Sequence, residues 1–135
     1  MFRKICRFRT GGQGLYEITD GIEEAVSQSG IEDGMCNIFI EHTSASLCIQ
    51  ENADPSARAD LETFMKKLVP SQDWFTHTAE GADDMPSHIK TALTSVSLDV
   101  PVVSGRLALG VWQGIYLWEH RSRSQDRRVM ITVWD

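Results

Sequence analysis

The chain has 135 residues, of which 41% are hydrophobic and 24% are charged, and its formal net charge is −6 at a sequence pI near 5.1. This length predicts one domain covering residues 1–135, with the composition of an ordinary globular protein. The acidic balance argues against a nucleic acid or an anionic membrane as the partner. No apolar run approaches the roughly 18 residues of a membrane span. The first residues are basic, but Arg7 and Arg9 interrupt the segment that follows them, so we expect a cytoplasmic protein without a signal peptide.

The first part of the chain predicts two strands and a helix. Residues 4–10 and 15–19 have strand-like patterns, and the glycine cluster between them predicts a turn, so we expect a hairpin. Asp20 is predicted to cap the following helix together with Glu23, three residues later in the sequence. Gly30 is predicted to end that helix.

The middle of the chain predicts two further strands and a second helix. The strands are expected over residues 35–44 and 46–51, and a tight hairpin between them is one possible connection. Asp54 is predicted to be the N-cap of the next helix, with Pro55 at its first position and its end at about Leu68.

A long polar connection over residues 69–85 precedes the last part of the chain. Connections of this length in a compact domain are typically functional or disordered, and Trp74 and Phe75 favour order here. Pro86 is predicted to open a short helix to about Thr94. Strand-like patterns follow at residues 100–103, 107–109, 115–120 and 128–134. Together the elements predict an α+β fold in which helices cover antiparallel strands.

His42 stands at the open end of a predicted strand. Side chains alternate along a strand, so His42 continues the apolar face of Cys36, Ile38 and Ile40. A side chain in this position is held rigidly and can still be reached by a ligand. Taken alone, the pattern favours a histidine satisfied by a core hydrogen bond over a functional one.

Histidines and carboxylates are candidates for a metal site. The four histidines are His42, His77, His88 and His120. Their spacing matches no short zinc motif, so the spacing alone is a weak signal for a metal site. An acidic cluster that contains Glu80, Asp83 and Asp84 lies between two of them, and its carboxylates could hold Mg²⁺. For Asp84, helix capping is the favoured alternative, whereas the role of Asp83 is open.

A group of hydroxyls follows His42 in the sequence. Thr43, Ser44 and Ser46 could donate hydrogen bonds to the oxygens of a phosphate. Arg121 or Arg123 could clamp the same anion with two parallel bonds. Farther along, Gly110 and Gly114 flank a short polar and aromatic segment. Paired glycines in a strand region predict a bulge or a close approach of two backbones.

Several blocks of the sequence together resemble the YjbQ family, which is often labelled secondary thiamine-phosphate synthase. The blocks cover residues 42–47, 51–55, 80–90, 110–115 and 119–121, reading HTSASL, ENADP, EGADDMPSHIK, GVWQGI and EHR. They have the order found in the family and span nearly the whole chain. The one departure is Val111, where the family usually has threonine.

The resemblance implies a three-layer β/β/α fold, with antiparallel β-sheets and helices on one side, and a homotrimer. It implies that His42, His77 and His88 hold a divalent metal ion, with zinc favoured and magnesium as the alternative. It also implies a small metal-binding enzyme that acts on a phosphorylated small molecule, with weak thiamine-phosphate-synthase-like transferase activity. A metal-assisted phosphate-ester hydrolase and a non-catalytic trimer that binds metal or anions remain alternatives.

Glu51 and Asp83 are the predicted catalytic residues. Glu51 continues an apolar strand face, as His42 does. If residues 43–46 form a tight hairpin, however, Glu51 lies roughly 14 Å from His42 at ~3.4 Å per residue. A catalytic role for Glu51 would then require the neighbouring subunit of the trimer, and the alternative is that Glu51 organises the entry to the second helix.

Overall fold

A computed structural model describes residues 1–135 as eight strands and three helices. In chain order the elements are β1 (Phe2–Arg9), β2 (Gly14–Glu17), α1 (Thr19–Ser29), β3 (Gly34–Ile40), β4 (Ala45–Glu51), α2 (Pro55–Leu68), α3 (Asp84–Leu93), β5 (Ser97–Val103), β6 (Arg106–Leu107), β7 (Gln113–Glu119) and β8 (Asp126–Trp134). The strands form two antiparallel sheets, ordered β1-β8-β3-β5-β6 and β2-β7-β4. The predicted α+β class is confirmed.

The burial of β7 on both faces shows how the layers stack. Ile115 and Leu117 belong to the core between the two sheets, whereas Tyr116 and Trp118 belong to a second core that includes Met65 of α2. Because side chains alternate across a strand, the two cores lie on opposite faces of the three-stranded sheet. The layers are therefore the five-stranded sheet, the three-stranded sheet and the helices α2 and α3, as predicted.

The helix α1 lies at the core between the two sheets. Its buried residues are Ile22, Ala25 and Val26, and all three belong to that core. Gly30 ends the helix at a φ of 69°, in the left-handed conformation that glycine adopts readily. The predicted capping by Asp20 and Glu23 is wrong.

Hydrogen bonds to β6 and β7, and not a capping box, hold the start of α1. Ile18 occupies the N-cap position, and no side chain caps the helix. The hydroxyl of Thr19 accepts a hydrogen bond from the Ile115 amide, which ties the start of α1 to β7. The Glu23 carboxylate accepts instead from the Leu107 amide of β6.

Neither of the hairpins considered from the sequence forms. The strand β1 pairs with β8, whereas β2 pairs with β7. Similarly, β3 pairs with β5 and β8, whereas β4 pairs with β7 in the other sheet. In both cases the two strands therefore belong to different sheets. Alternation in the sequence shows which face of a strand is apolar, but it does not show which strand lies beside it.

Local signals predicted α2 well and α3 less well. The Asp54 carboxylate accepts a hydrogen bond from the Ser56 amide at 2.9 Å, and α2 runs from Pro55 to Leu68, as predicted. The helix α3 begins at Asp84, two residues before the predicted start. Asp84 is thus the first helical residue, and its predicted role as a cap is wrong. No helix has the length and apolar character needed to span a membrane.

Candidate metal centre

Three side chains that can bind a metal converge where α3 meets the connection before it. A nitrogen of His77, a carboxylate oxygen of Asp84 and a nitrogen of His88 all lie within 4.8 Å of one another. Asp84 and His88 are four residues apart in α3, which places them on the same face of the helix. This spacing was visible in the sequence, but the predicted helix began too late to include Asp84.

The distances within this group fit a single ion. His77 Nε2 lies 2.8 Å from Asp84 Oδ2, and His88 Nε2 lies 3.3 Å from Asp84 Oδ1. Two atoms that each lie ~2.0–2.1 Å from one zinc ion are about 3 Å apart. Asp84 is only 1% exposed, and the contact of its Oδ2 with His77 Nε2 is short but does not have hydrogen-bond geometry, so Oδ2 has no hydrogen-bond partner. Because an unpaired buried carboxylate oxygen is costly, a cation would satisfy this atom.

The tautomer of His88 suits a metal ligand. Its Nδ1 lies 2.8 Å from the carbonyl oxygen of Thr43, which can only accept a hydrogen bond, so Nδ1 carries the proton. The lone pair of the neutral ring is then on Nε2, the nitrogen beside Asp84. Histidines that bind metals are commonly oriented in this way by a carbonyl.

His42 is occupied by a different interaction. Its Nε2 accepts a hydrogen bond from the backbone amide of Arg128 at 2.8 Å, so the proton of the neutral ring is on Nδ1. Burial and, next, the charge of Arg127 lower the pKa of His42, which favours this neutral form. His42 therefore has no free lone pair for an ion. The predicted set of three histidines is corrected, because Asp84 takes the place of His42 in the converging group.

Arg121 holds the start of α3 against the connection that precedes it. Its Nε donates to Asp83 and its Nη1 to Asp84, and its Nη2 donates to the carbonyl of Glu80, each at 2.9 Å. All three guanidinium nitrogens are thus engaged within the protein. This geometry does not support the predicted clamp on a phosphate. Arg121 instead positions the Asp84 carboxylate.

Asp83 is the carboxylate that anchors Arg121. Burial raises the pKa of Asp83, but hydrogen bonds from the Ser122 amide and from Arg121, together with the charge of Arg121, outweigh burial and lower the pKa to about 2. A general base is most effective when its pKa lies near the working pH. The structure therefore gives Asp83 a positioning role and does not support the predicted catalytic one.

The three hydroxyls predicted to bind phosphate are dispersed. Thr43 lines a cavity beside His88. The Ser44 hydroxyl accepts a hydrogen bond from Arg127 at 3.0 Å, and the fully buried Ser46 hydroxyl lies 2.9 Å from Nε2 of His120. Ser44 and Ser46 are therefore bound to other side chains, so they do not form the predicted phosphate site with Thr43.

A buried polar network lies behind these residues and was not predicted. Glu119 accepts hydrogen bonds from Thr10 and Arg127, and all three are almost completely buried. Burial, followed by the charges of Lys90 and Arg127, lowers the pKa of His120 to about 3, so this ring is neutral. The sequence signal was faint, since only the polar residues at the end of the apolar strand β7 pointed to it.

Glu51 lies far from the metal centre within one chain. In the register of β4 with β7, Ala45 lies opposite Glu119, whereas Glu51 lies opposite Gln113 at the other end. Six residues of strand span roughly 20 Å, more than the sequence suggested. The catalytic role of Glu51 stays a prediction that requires a second chain.

A cavity of about 600 Å³ adjoins the metal centre. It lies between the end of β3 and the helix α3, and the residues around it include Phe39, Glu41, His42, Thr43, His88 and Thr91. Its volume is within the range of small-molecule sites, ~300–1,000 Å³. His88 belongs to both the cavity and the converging group, so a molecule in the cavity would lie beside a bound ion.

Comparisons with known proteins place this chain in a family. The family profile described as UPF0047 protein YjbQ-like matches residues 4–135. This chain belongs to the YjbQ family. A UPF0047 protein of Synechocystis is 47% identical over 132 residues, which cover 97% of this chain and 90% of the relative. The YjbQ protein of Escherichia coli O157:H7 is 39% identical, with 98% of this chain and 96% of the relative covered.

Solved structures of YjbQ-family proteins have the same fold. The crystal structure of an uncharacterized YjbQ/UPF0047 protein from Clostridium acetobutylicum matches with a TM-score of 0.89 and 33% identity, covering 97% of this chain and 99% of that chain. A conserved hypothetical protein from Thermus thermophilus matches with a TM-score of 0.85 and 30% identity, covering 97% and 99%. The family is thus one of uncharacterised proteins.

The glycine pair of the YjbQ block shapes the backbone. A Cβ on Gly114 would lie 2.7 Å from Oε2 of Glu17 and 3.0 Å from Cβ of Asn52, so two side chains, and not a second backbone, approach this glycine closely. The Gln113 side chain accepts a hydrogen bond from the Gly110 amide at 2.8 Å. This block therefore supports the turn into β7 and takes no part in the metal centre.

Proposed function

We propose that His77, Asp84 and His88 hold a divalent metal ion in an enzyme that acts on a phosphorylated small molecule. The observation that carries the proposal is Oδ2 of Asp84, which is buried, accepts no hydrogen bond and lies 2.8 Å from an imidazole nitrogen. Two imidazoles with one carboxylate suit zinc or another transition ion, whereas magnesium prefers oxygen ligands throughout. Zinc is therefore favoured over magnesium.

The surroundings of the site support chemistry on a small molecule. A bound ion of this kind supplies Lewis-acid stabilisation of charge on a phosphoryl oxygen. Three protein ligands leave room for a substrate, as in catalytic zinc sites. In the adjoining cavity, Nδ1–H of His42 and the hydroxyl of Thr43 are donors that can bind substrate oxygens.

For the reaction, we favour a weak thiamine-phosphate-synthase-like transferase. This reaction joins a pyrimidine-methyl diphosphate to a thiazole phosphate and releases pyrophosphate. The family resemblance supports this choice, together with a donor-lined cavity beside a metal centre. Hydrolysis of phosphate esters and metal binding without catalysis are the alternatives that an assay must separate.

The first experiment tests the metal centre. Untagged protein is loaded with zinc, dialysed and analysed for metal, and we expect about one ion per chain. Asp84→Asn should lose the ion, because the proposal makes this carboxylate a ligand. His42→Gln should keep it, because His42 binds the Arg128 amide instead. Equal metal content in Asp84→Asn and the parent, or a parent that binds no zinc, would contradict the proposal.

The second experiment tests the activity. Metal-loaded and metal-stripped protein are assayed for thiamine phosphate, for released pyrophosphate and for phosphate released from simple esters. Thiamine phosphate formed only by the loaded protein supports the transferase. Phosphate release alone indicates a hydrolase. If the metal-loaded protein forms neither thiamine phosphate nor free phosphate, the result supports the non-catalytic role.

We also propose that the protein acts in the cytoplasm as a homotrimer. The support for an oligomer is an apolar surface on α2, α3 and the connection between them. It consists of Phe64, Leu68, Trp74 and Leu93, whose exposures are 61%, 53%, 71% and 60%. A contiguous apolar patch on a monomer commonly marks an interaction site.

A further inference from the structure

Lys90 is a buried lysine without a partner. The residue lies in α3 and is 4% exposed, yet its ammonium group donates no hydrogen bond and forms no ion pair with a carboxylate of the chain. Lysine is almost never this buried unless it is paired. Lys90 borders a cavity of about 290 Å³ that it shares with Lys66 of α2.

The carboxylates near Lys66 and Lys90 already contact other groups of the chain. Asp83, which lines the same cavity, pairs with Arg121 at 2.9 Å. A smaller adjoining cavity, which is also lined by Lys66 and Lys90, includes Glu62 and Glu119. Glu119 is paired with Arg127, and the Glu62 carboxylate accepts from the Leu15 amide and lies 3.9 Å from Arg58. Each of these carboxylates contacts another group, and neither lysine forms an ion pair with them.

Polar groups that could complete an anion site are also present. Gln13 and Ser71 line the cavity together with Lys66 and Lys90. Gln13 lies in the turn between Gly12 and Gly14, which both have positive φ values, 118° and 151°. This left-handed backbone is readily adopted by glycine and brings Gln13 to the cavity.

This cavity is separate from the metal centre. At 3.6 residues per turn, Lys90 lies roughly 200° around α3 from His88, so the two side chains leave the helix on opposite sides. Neither His77 nor His88 lines the lysine cavity. A ligand bound there would not depend on the ion.

We propose that Lys66 and Lys90, with Gln13 and Ser71, form a binding site for a phosphate-sized anion. Ammonium groups bind phosphate as point charges and can donate up to three hydrogen bonds each. The anion would supply a countercharge for the Lys90 ammonium group, which borders the cavity and has no ion-pair partner in the chain. Free inorganic phosphate and the phosphoryl group of a small molecule share this chemistry, and the cavity has room for both.

The test measures binding of inorganic phosphate to metal-stripped protein by calorimetry, with sodium chloride at equal ionic strength in the reference. Removing the metal ensures that the result does not depend on the proposed metal centre. We expect one phosphate per chain in the parent. Lys90→Met should weaken binding by about tenfold or more, because a charge-assisted hydrogen bond is lost. Lys66→Met should also weaken phosphate binding, and Lys66 is at an exposed position that tolerates substitution.

Lys67→Met is the matched control, because Lys67 is the next residue of α2 and does not line the cavity. It should bind phosphate as the parent does. A parallel titration with glycerol 3-phosphate distinguishes the two kinds of ligand. If it binds more tightly than inorganic phosphate, the site favours the phosphoryl group of a small molecule. The proposal is overturned if the parent binds no phosphate, if Lys66→Met and Lys90→Met bind like the parent, or if Lys67→Met loses as much affinity as they do.

A second readout keeps the proposal testable if calorimetric signals are small. Without phosphate, Lys90→Met should melt at a higher temperature than the parent, because it removes an unpaired buried charge. Phosphate should raise the melting temperature of the parent by more than that of Lys90→Met, since a ligand that binds only the folded state stabilises it and the variant binds phosphate more weakly. An equal gain in both proteins would contradict the assignment of Lys90.

Discussion

The guanidinium of Arg121 joins three points of the chain that must meet for Asp84 to face His77. Arg121→Lys keeps the charge but loses the planar set of donors that reaches Asp83, Asp84 and the Glu80 carbonyl together. We expect zinc affinity to fall by about 10–100-fold, the usual effect of losing a group that orients a ligand. Competition with a chromophoric chelator measures this change. Arg123→Lys, at a nearby arginine outside this network, should leave the affinity unchanged.

His120 makes the free energy of unfolding depend on pH. Its folded pKa is lowered from 6.5 to about 3, so between these values the unfolded chain binds a proton that the folded protein does not. The stabilisation is fully present above pH 6.5 and is lost as the pH falls below it. The slope from this one group is roughly 1 kcal/mol per pH unit. Urea unfolding of metal-free protein at pH 7, 6 and 5 measures it.

His120→Gln should flatten that slope, because glutamine can still hydrogen bond to Ser46 but does not titrate. His77→Gln is the control, since His77 is largely exposed and lies outside the buried network. If His120→Gln keeps the slope of the parent, the proton is taken up elsewhere.

The family resemblance identified two of the three side chains that converge at the start of α3, but not the third. His77 and His88 were identified by the family resemblance, and the structure brings them together. The sequence did not show that Asp84 lies beside these two histidines, or that the His42 ring binds a backbone amide instead. The amide that binds His42 belongs to Arg128, a residue of β8 far along the chain, and no local pattern reveals such a contact.

Among the elements, β3 depends on a glycine where it meets the end of β8. A Cβ on Gly34 would clash with the backbone carbonyl of Trp134, which cannot move without disturbing the β3–β8 pairing. Gly34→Ala should therefore lower the free energy of unfolding by about 1–3 kcal/mol. Urea unfolding measures the loss. Gly11→Ala is the control, because the nearest atom to its Cβ is the Tyr16 hydroxyl at 3.7 Å, and a similar loss there would rule out the clash as the cause.

The elements themselves were predicted from signals that lie within a few residues of each other. Asp54, Pro55 and Leu68 define α2 through capping, a fixed φ and the last apolar position, and all of these are local. Strand pairing is not local. Phe2 pairs with Val133, and no turn between neighbouring strands indicates that partner. The strands could therefore be found in the sequence, whereas their order in the two sheets could not.

For the whole molecule, the apolar surface on α2 and α3 predicts assembly. Light scattering after size exclusion should give about three times the chain mass of 15.2 kDa for the parent. Leu68→Ser combined with Leu93→Ser should give the mass of one chain, because two exposed apolar side chains of the proposed interface are lost. Val103→Ser is the control, since Val103 is similarly exposed but lies on β5. A parent that elutes as a single chain would contradict the trimer.

The position of β8 also has a consequence for how the protein is made. β8 is the last strand in chain order, yet it lies between β1 and β3 and pairs with both. While the chain is being synthesised, β1 therefore has no partner in its sheet until residues 126–134 have left the ribosome. Strands that are unpaired at this stage are targets for aggregation and for chaperones. Because the closing contacts are so distant in sequence, we expect folding in milliseconds to seconds, and only once β8 is available to pair.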